Sequence, residues 1–173
     1  MQESKELKFE TLNKEFMYQG FFRLNRYQFK NQLFTGGWSE TYQREIFERG
    51  HAAGVLLIDP NAELLVLVEQ FRPGAVETQN NPWLIEPVAG IIENGEVPEE
   101  VARREAVEEA ACEIKRIGKI CEYLASPGGS TEKIWLFIGE VDSQNLPSVA
   151  GLAEEHEDIR IHKVAIEEAF SRL

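Results

Sequence analysis

Three glutamates, Glu105, Glu108 and Glu109, follow Arg104 in a segment rich in helix-forming residues. Residues three and four apart lie on one face of an α-helix, so this spacing brings the carboxylates together. Because like charges at this spacing repel, we expect a cation to neutralise them. Carboxylate oxygens are hard ligands of the kind that Mg²⁺ and Mn²⁺ prefer. The spacing therefore predicts a divalent-metal site on this helix face.

The helix that carries these glutamates is predicted to begin near Pro98, because proline is tolerated in the first turn. Glu99 and Glu100 complement the positive end of the helix dipole. The opposite face carries an apolar arc, formed by Ala106, Val107, Ala110 and Ile114. Arg103 interrupts this arc near the first turn. We expect the arc to pack on a β-sheet while the carboxylates face a cleft.

The composition limits the classes of protein to which the chain can belong. Its 173 residues, of which 43% are hydrophobic, suffice for the core of one domain. The net charge of −12 and the isoelectric point of about 4.8 argue against non-specific binding to nucleic acid or membranes. An acidic chain that binds a phosphate anion needs local positive charge, from a metal or from placed arginines.

The sequence also indicates a compartment. We expect neither a transmembrane helix nor a signal peptide, because long apolar runs are lacking and the N-terminus is charged. Cys112 and Cys121 lack a metal-binding pattern, so we expect both thiols to be reduced and buried. These features predict a cytoplasmic protein.

Strand-like patterns occupy much of the chain. Hydrophobic alternation over Gly20–Phe34, the turn Thr35–Gly37 and a return strand over Glu40–Phe47 predict a β-hairpin, preceded by a loose start or edge strand over residues 1–15. Further strands are predicted over His51–Ile58, Glu63–Glu69, Trp83–Val88, Ile117–Leu124, Lys133–Val141 and Ile159–Val164. A loop over Gln144–Glu157 and an amphipathic helix over Ala165–Leu173 complete the prediction. Strands on both sides of one central helix predict an α+β sandwich.

The segment from Gly90 to Cys112 resembles the Nudix box, G-x5-E-x7-R-E-U-x-E-E-x-G-U, in which U is an aliphatic residue. The matching positions are Gly90, Glu96, Arg104, Glu105, Glu108 and Glu109. Ala106 and Cys112 are weaker matches to two aliphatic positions, and Ala111 replaces the last glycine. A left-handed alanine would cost about 1–2 kcal/mol. We therefore expect the helix to continue one residue further.

The resemblance implies a Nudix-type α/β/α sandwich with a mixed sheet and an N-terminal antiparallel hairpin subdomain. Residues 1–50 would form the hairpin segment and residues 51–173 the hydrolase domain. Nudix enzymes hydrolyse a nucleoside diphosphate linked to another group, here with Mg²⁺ or Mn²⁺ as the expected cofactor. By resemblance, Glu105, Glu109 and the carbonyl of Ala89 are metal ligands. Glu108 is a further ligand or an electrostatic support, and Arg104 orients a glutamate.

Further matches cover most of the chain and resemble the bacterial ADP-ribose pyrophosphatases. They are Tyr18–Phe22, Arg44–Ala53, Glu69–Arg72, Leu124–Gly129 and Gly151–Ile159. Pro127, 15 residues beyond Cys112, looks like the subfamily's marker for ADP-ribose. The resemblance implies metal-dependent cleavage of ADP-ribose to AMP and ribose 5-phosphate.

The same resemblance implies substrate contacts, which also have structural alternatives. Phe21 and Phe22 would offer an aromatic face to adenine, or belong to a core. Arg44, Arg49 and Arg72 would pair with phosphate or ribose oxygens, or form surface ion pairs. The other substrate-binding candidates are Glu45, Ile91, Ser126 and Glu132, the last two at the terminal ribose. In the family the N-terminal segment crosses to a partner subunit, so we expect a homodimer with a shared site.

The acidic run Glu154–Asp158 carries the other half of the implied mechanism. Taken alone, it predicts a solvated, mobile turn. In the family, Glu155 matches the general base that takes a proton from the attacking water, and Glu157 matches an additional metal ligand. A base on a mobile loop can complete the site after substrate binds. We interpret His156 as a bystander.

Two alternatives remain open. A different Nudix enzyme would act on other nucleoside diphosphate sugars, and only the loop from Ser126 to Glu132 would distinguish it. A non-catalytic regulator would bind ADP-ribose without cleaving it, although a sensor has no need of a water-activating cluster or of Glu155. Bacterial relatives usually continue beyond the position of Leu173, so we expect this chain to be shorter or trimmed.

Overall fold

The computed structural model describes residues 6–171, which fall into two compact units. As far as they are described, the first comprises Met1–Gly50 with Leu124–Glu132, and the second His51–Tyr123 with Lys133–Leu173. The strands are β1 (Phe9–Gln19), β2 (Arg23–Asn31), β3 (Tyr42–Glu48), β4 (His51–Asp59), β5 (Leu64–Phe71), β6 (Trp83–Glu86), β7 (Val88–Ile92), β8 (Arg116–Leu124), β9 (Lys133–Glu140), β10 (Val149–Ala150) and β11 (Ile159–Ala165). The α-helices are α1 (Pro98–Ala110) and α2 (Ile166–Ser171).

The first unit is built on an antiparallel sheet in the order β1-β2-β3. The predicted hairpin is its β2–β3 pair. The connection between these strands contains Gly36 and Gly37 at φ angles of 96° and 77°, a region that favours glycine. The edge strand expected before the hairpin is β1, which pairs with β2 as far as Gln19. Residues 1–5 of that prediction lie outside the described residues.

The second unit is built on a mixed sheet in the order β10-β11-β5-β4-β9-β8. β4 and β9 run parallel, whereas β5 is antiparallel to both β4 and β11. The single strand predicted over Trp83–Val88 is wrong, because Pro87 separates β6 from β7. Proline has no amide hydrogen to donate, and the two strands have different neighbours: β6 pairs with β5, and β7 with β4. The predicted α+β class with a mixed sheet is confirmed.

One face of α1 packs against this sheet and forms much of the core. The helix contributes the buried apolar residues Val101, Ala102, Ala106 and Ala110. The prediction for Val107 is wrong, because it is 52% exposed, whereas Glu109 is only 2% exposed. Positions 102, 106, 109 and 110 share a face by helical spacing, and position 107 lies off it. Ile114, also assigned to the helix arc, lies beyond the helix and packs against the core from the following segment.

The end of α1 also corrects the sequence prediction. The helix does not continue, because Ala111 has φ 51° and ψ 31° and is therefore left-handed. The amides of Ala111 and Cys112 donate to the carbonyls of Val107 at 3.1 Å and Ala106 at 2.9 Å. This turn directs Cys112 into the core, where it is 1% exposed. Burial of Cys112 and the two hydrogen bonds oppose the strain of a left-handed alanine, about 1–2 kcal/mol.

The last helix begins one residue later than predicted, at Ile166. Ala165 still pairs with Leu64 in the sheet, and residues 172–173 lie outside the described residues. Both cysteines are free, and Cys112 is buried as predicted. Cys121 is exposed, contrary to prediction, because β8 forms an edge of the sheet. Within residues 6–171, every helix is too short or too polar to cross a membrane.

Candidate active site

Arg104 gathers the carboxylates on the exposed side of α1. Its Nη1 lies 2.8 Å from both Glu105 Oε1 and Glu108 Oε2. Its Nε lies 3.7 Å from Glu96 Oε1, and Glu96 Oε2 accepts a hydrogen bond from the Glu93 amide at 2.8 Å. One guanidinium group thus contacts three of the matched glutamates, which places Arg104 where it can orient carboxylates.

The Glu105 carboxyl group lies against the backbone of Gly90, and its position requires a glycine there. A β-carbon at residue 90 would overlap the Glu105 carboxyl group, so only glycine leaves room for it. Burial raises the pKa of Glu105 to about 7, although the charge of Arg104 opposes this rise. Glu105 is therefore a carboxylate that gains from an additional positive charge.

Glu109 is the deepest of the carboxylates. Gln70 Nε2 donates to its Oε1 at 3.1 Å, and the Ala89 amide donates to its Oε2 at 3.1 Å. Burial raises the pKa of Glu109, the two hydrogen bonds lower it, and the charges of Arg72 and Glu157 act in opposite senses. Both hydrogen-bond donors are neutral, so the charge of this buried carboxylate is only partly compensated.

The strands beside α1 position three further candidates. Ala89 and Ile91 lie on β7 opposite Gly54 and Ala52 of β4. Arg72 follows β5, and its Nε donates to Glu86 Oε2 at 2.7 Å. Arg72 is thus engaged by a carboxylate of β6 and also acts electrostatically on Glu109.

The acidic loop is tied to the helix at its first residue. The Gly151 amide donates to the Glu108 carbonyl at 3.2 Å. The Leu152 amide donates to Glu157 Oε2 at 3.2 Å, and the Glu157 amide donates back to the Leu152 carbonyl at 3.1 Å. Between these residues, Ala153–Glu155 forms a short 3₁₀ turn that exposes Glu155 to solvent. Hydrogen bonds therefore hold the two ends of the loop together, whereas Glu155, the candidate general base, is exposed to solvent.

The side chains around Glu109 have the donor chemistry of a divalent-cation site. Among residues 6–171, no three His, Cys, Asp or Glu side chains already stand in a metal-binding arrangement. Arg104 contacts Glu105 Oε1 and Glu108 Oε2, so a bound cation would share these carboxylates with the guanidinium group. The donors are nevertheless all oxygens, as Mg²⁺ and Mn²⁺ require. The buried Glu109 and the partly buried Glu105, both with raised pKa values, fit such a cation.

Within the first unit, four substrate candidates form a connected group. The Phe21 and Phe22 rings lie 4.8 Å apart between centroids, and the Arg49 guanidinium lies 5.8 Å from the Phe22 centroid. Arg49 Nη1 is 2.9 Å from Glu132 Oε1. Phe21 is 86% exposed, whereas Glu132 is 9% exposed. This group presents an aromatic surface beside a guanidinium group. The Ser126 carbonyl accepts hydrogen bonds from the amides of Gly129 and Ser130.

Arg44 and Glu45 lie on β3 beside a cavity of about 560 Å³ that Arg26 and Gln43 also line. Arg26 Nη2 is 3.1 Å from Glu45 Oε1, across the β2–β3 pair. Arg44 Nη1 donates to the Gln43 carbonyl at 2.7 Å. Arg26 and Gln43 are absent from the sequence prediction, because only the strand register brings them to this position.

Gln70 is a further site residue that the sequence prediction missed. It lies on the same face of β5 as Val68, which is buried in the core to which α1 also contributes. A polar residue at a buried strand position was the available signal, because such side chains need a hydrogen-bond partner.

A separate cavity of about 410 Å³ lies on the opposite face of β5, where Glu69 points away from Gln70. Its lining residues are Glu69, Asn81, Trp83, Val149, Asp158 and Arg160. Glu69 Oε2 is 3.1 Å from Arg160 Nη1 and 2.9 Å from His162 Nε2. His162 thus belongs to a hydrogen-bonded cluster around Glu69, away from the carboxylate face of α1.

Comparison with known proteins places this arrangement in context. The sequence profile of the NUDIX domain matches residues 48–172. The ADP-ribose pyrophosphatase of Escherichia coli (strain K12) is 49% identical over 161 residues, covering 93% of this chain and 77% of that protein. The ADP-ribose pyrophosphatase of Haemophilus influenzae is 46% identical over 164 residues, covering 93% and 76%. The GDP-mannose pyrophosphatase of Escherichia coli O9:H4 (strain HS) is 37% identical over 133 residues, covering 76% and 69%.

A solved structure gives the same fold. The crystal structure of an ADP compounds hydrolase superposes with a TM-score of 0.69 at 18% identity, covering 96% of this chain and 84% of that one. At this identity the likeness concerns the fold alone. The profile match, however, spans most of the chain and includes both the carboxylate helix and the acidic loop. The chain therefore belongs to the Nudix family.

Proposed function

We propose that this Nudix enzyme hydrolyses the pyrophosphate of ADP-ribose to AMP and ribose 5-phosphate, with Mg²⁺ as its cofactor. The observation that carries the proposal is the matched carboxylate helix, whose Glu108 carbonyl is hydrogen-bonded to the loop that bears Glu155. The relatives with 46% and 49% identity, both named ADP-ribose pyrophosphatase, support this substrate.

Glu105, Glu109, Glu157 and the Ala89 carbonyl are the proposed ligands of the cation. When bound, a divalent cation neutralises a pyrophosphate and lowers the pKa of a water ligand. Glu108 adds negative charge to this face of α1 and so favours binding of the cation. Arg104 holds the carboxylates in position through its contacts to Glu105 and Glu108.

Glu155 is the proposed general base. Its exposed position on a short turn suits a group that must reach a water molecule after the substrate has bound. The two hydrogen bonds between Leu152 and Glu157 restrict how far the turn that carries Glu155 can move. Arg72 donates a hydrogen bond to Glu86, and we propose that it donates to a phosphate oxygen of the substrate instead when the substrate is bound.

The remaining substrate contacts are proposed on the resemblance and on the local grouping of the side chains. Phe21, Phe22, Arg44, Glu45 and Arg49 would receive the adenosine part, and Ile91, Ser126 and Glu132 the rest of the substrate. We further propose a homodimer in which residues 1–50 are exchanged. Its support is the edge strand β1, which exposes Phe9, Phe16 and Tyr18. A cytoplasmic location stays a prediction.

A second candidate is the cleavage of other nucleoside diphosphate sugars. It is favoured by the 37% identity to a GDP-mannose pyrophosphatase. Adenine and guanine would have to be distinguished by the contacts near Phe21, and the terminal sugars by the loop from Ser126 to Glu132. A purely binding role has weaker support, because the complete glutamate set serves water activation.

Product analysis tests the proposal. The protein is incubated with ADP-ribose, ADP-glucose and GDP-mannose, each with Mg²⁺, with Mn²⁺ and with excess chelator. The proposal expects AMP and ribose 5-phosphate, formed fastest from ADP-ribose and lost with chelator. Faster cleavage of another substrate would support the second candidate, and tight binding of ADP-ribose without cleavage would contradict both. Sedimentation equilibrium tests the homodimer.

A further inference from the structure

Gln70 has no part in the function proposed above, although it contacts a proposed metal ligand. It is 6% exposed on the face of β5 that packs against α1. Its neighbours on that face, Val66 and Val68, are fully buried and apolar. A buried carboxamide costs free energy unless it is hydrogen-bonded. Here its Nε2 donates to Glu109 Oε1 at 3.1 Å.

Two separate strands hold the Glu109 carboxylate. Gln70 of β5 donates to one oxygen, and the Ala89 amide of β7 donates to the other at 3.1 Å. Together the two donors fix the orientation of the Glu109 carboxyl group, which could otherwise rotate about its last side-chain bond. Each carboxylate oxygen has a further lone pair beyond the one it uses here, and these remain available to a cation.

We propose that Gln70 is a positioning residue that orients the Glu109 carboxylate toward the divalent cation. The inference rests on the proposed function, because it concerns the same metal site. Without the Gln70 donor, Glu109 is held at one oxygen only and its carboxyl group can rotate. Hydrogen-bond partners of metal ligands typically change metal affinity by about 10–100-fold when removed.

The test is Gln70→Met, which removes the donor while keeping the length of the side chain. Mn²⁺ is titrated into the metal-free protein, and free Mn²⁺ is measured by electron paramagnetic resonance, a readout independent of turnover. We expect the Kd for Mn²⁺ to rise by about tenfold or more. If Gln70 acts through Glu109, the Gln70→Met/Glu109→Gln double variant binds Mn²⁺ no more weakly than Glu109→Gln alone.

A matched control separates positioning from loss of stability. Ser143→Ala removes another buried hydrogen bond of the same unit, from Ser143 Oγ to Asp59 Oδ2 at 2.7 Å. It should lower the unfolding temperature and leave the Kd for Mn²⁺ unchanged. A Gln70→Met variant that binds Mn²⁺ like wild type, in a protein that cleaves ADP-ribose, overturns the inference and leaves the proposed function standing. A wild type that neither binds Mn²⁺ nor cleaves any nucleotide sugar overturns the proposed function itself.

Discussion

The backbone amide of Gly151 donates a hydrogen bond of 3.2 Å to the carbonyl oxygen of Glu108. Carbonyls in the last turn of a helix lack partners within the helix, and this one is satisfied from the acidic loop. The bond joins the residue that begins the loop to the helix that carries the carboxylates. Movement of the loop base would therefore disturb α1, so a loop movement that leaves the helix in place is confined to the residues between Leu152 and Glu157.

Gly151→Ala should impair catalysis more than it impairs folding. Gly151 has φ +100°, and a β-carbon there would lie 2.9 Å from Glu157 Cβ and 3.1 Å from the Glu157 carbonyl oxygen. The loop must shift, and a displacement of about 1 Å can cost about a hundredfold in rate. Steady-state kinetics and denaturant unfolding would measure both effects. Gly36→Ala is the control, since its φ is +96° and the added β-carbon meets nothing within 4 Å. Equal losses of kcat in both variants would contradict the prediction.

Glu155→Gln should lower kcat by about 10²–10⁴-fold and leave KM nearly unchanged, because it removes a proton acceptor without removing a binding group. Glu154→Gln is the matched control, since it lies in the same exposed turn and has the same change of charge. We expect Glu154→Gln to retain the wild-type rate. Turnover by Glu155→Gln at the wild-type rate would place the general base elsewhere.

Ala111→Gly should stabilise the protein. The left-handed conformation at φ 51° costs an alanine about 1–2 kcal/mol that glycine avoids, less the greater chain entropy that glycine loses on folding. We expect a gain of about 0.5–1 kcal/mol in the free energy of unfolding, measured by urea titration. Ala106→Gly, in the right-handed interior of α1, should have the opposite sign. A loss of stability in Ala111→Gly would show that the helix end is not left-handed.

Asp59 should make stability sensitive to acid. The Ser143 amide and hydroxyl, with the amides of Ala62 and Asn61, lower the pKa of Asp59 from 3.8 to about 2. Because the folded pKa lies below the unfolded one, this stabilisation is fully present above about pH 4 and is lost as the pH falls toward 2. Asp59→Asn should therefore lower the unfolding temperature at about pH 6, and the difference from wild type should shrink between about pH 4 and 2.

The control for Asp59 is Asp142→Asn. Asp142 is exposed, and its Oδ2 lies 3.6 Å from Lys115 Nζ. An exposed ion pair contributes little to stability, so Asp142→Asn should change the unfolding temperature little. A difference between Asp59→Asn and wild type that stays constant down to about pH 2 would rule out the proposed linkage.

The sequence predicted the elements with a strong local signal. The start of α1 at Pro98 followed from proline and the acidic first turn, and most strands of the mixed sheet followed from hydrophobic runs. The division at Pro87 was missed because apolar residues, Trp83–Ile85 and Val88, lie on both sides of the pair Glu86–Pro87. The left-handed Ala111 was missed because its cost is offset by the burial of Cys112, which only the tertiary structure reveals.

The candidate site shows the same division. The spacing of Glu105, Glu108 and Glu109 follows from helical geometry alone, and the contacts of Glu105 and Glu108 with Arg104 lie on the same helix. Gln70 is 39 residues from Glu109, so its hydrogen bond depends on how β5 packs against α1. The burial of Glu109 and the exposure of Val107 also depend on that packing, because the side of α1 on which Glu109 lies faces the sheet and the side of Val107 does not.

The two cysteines have consequences for chemical labelling. Cys112 is buried, and burial raises its pKa to about 11, so little reactive thiolate is available at neutral pH. Cys121 is exposed on the edge strand β8. A maleimide fluorophore should therefore attach to the folded protein at Cys121 alone, which provides one defined attachment point for fluorescence experiments without removing any native residue.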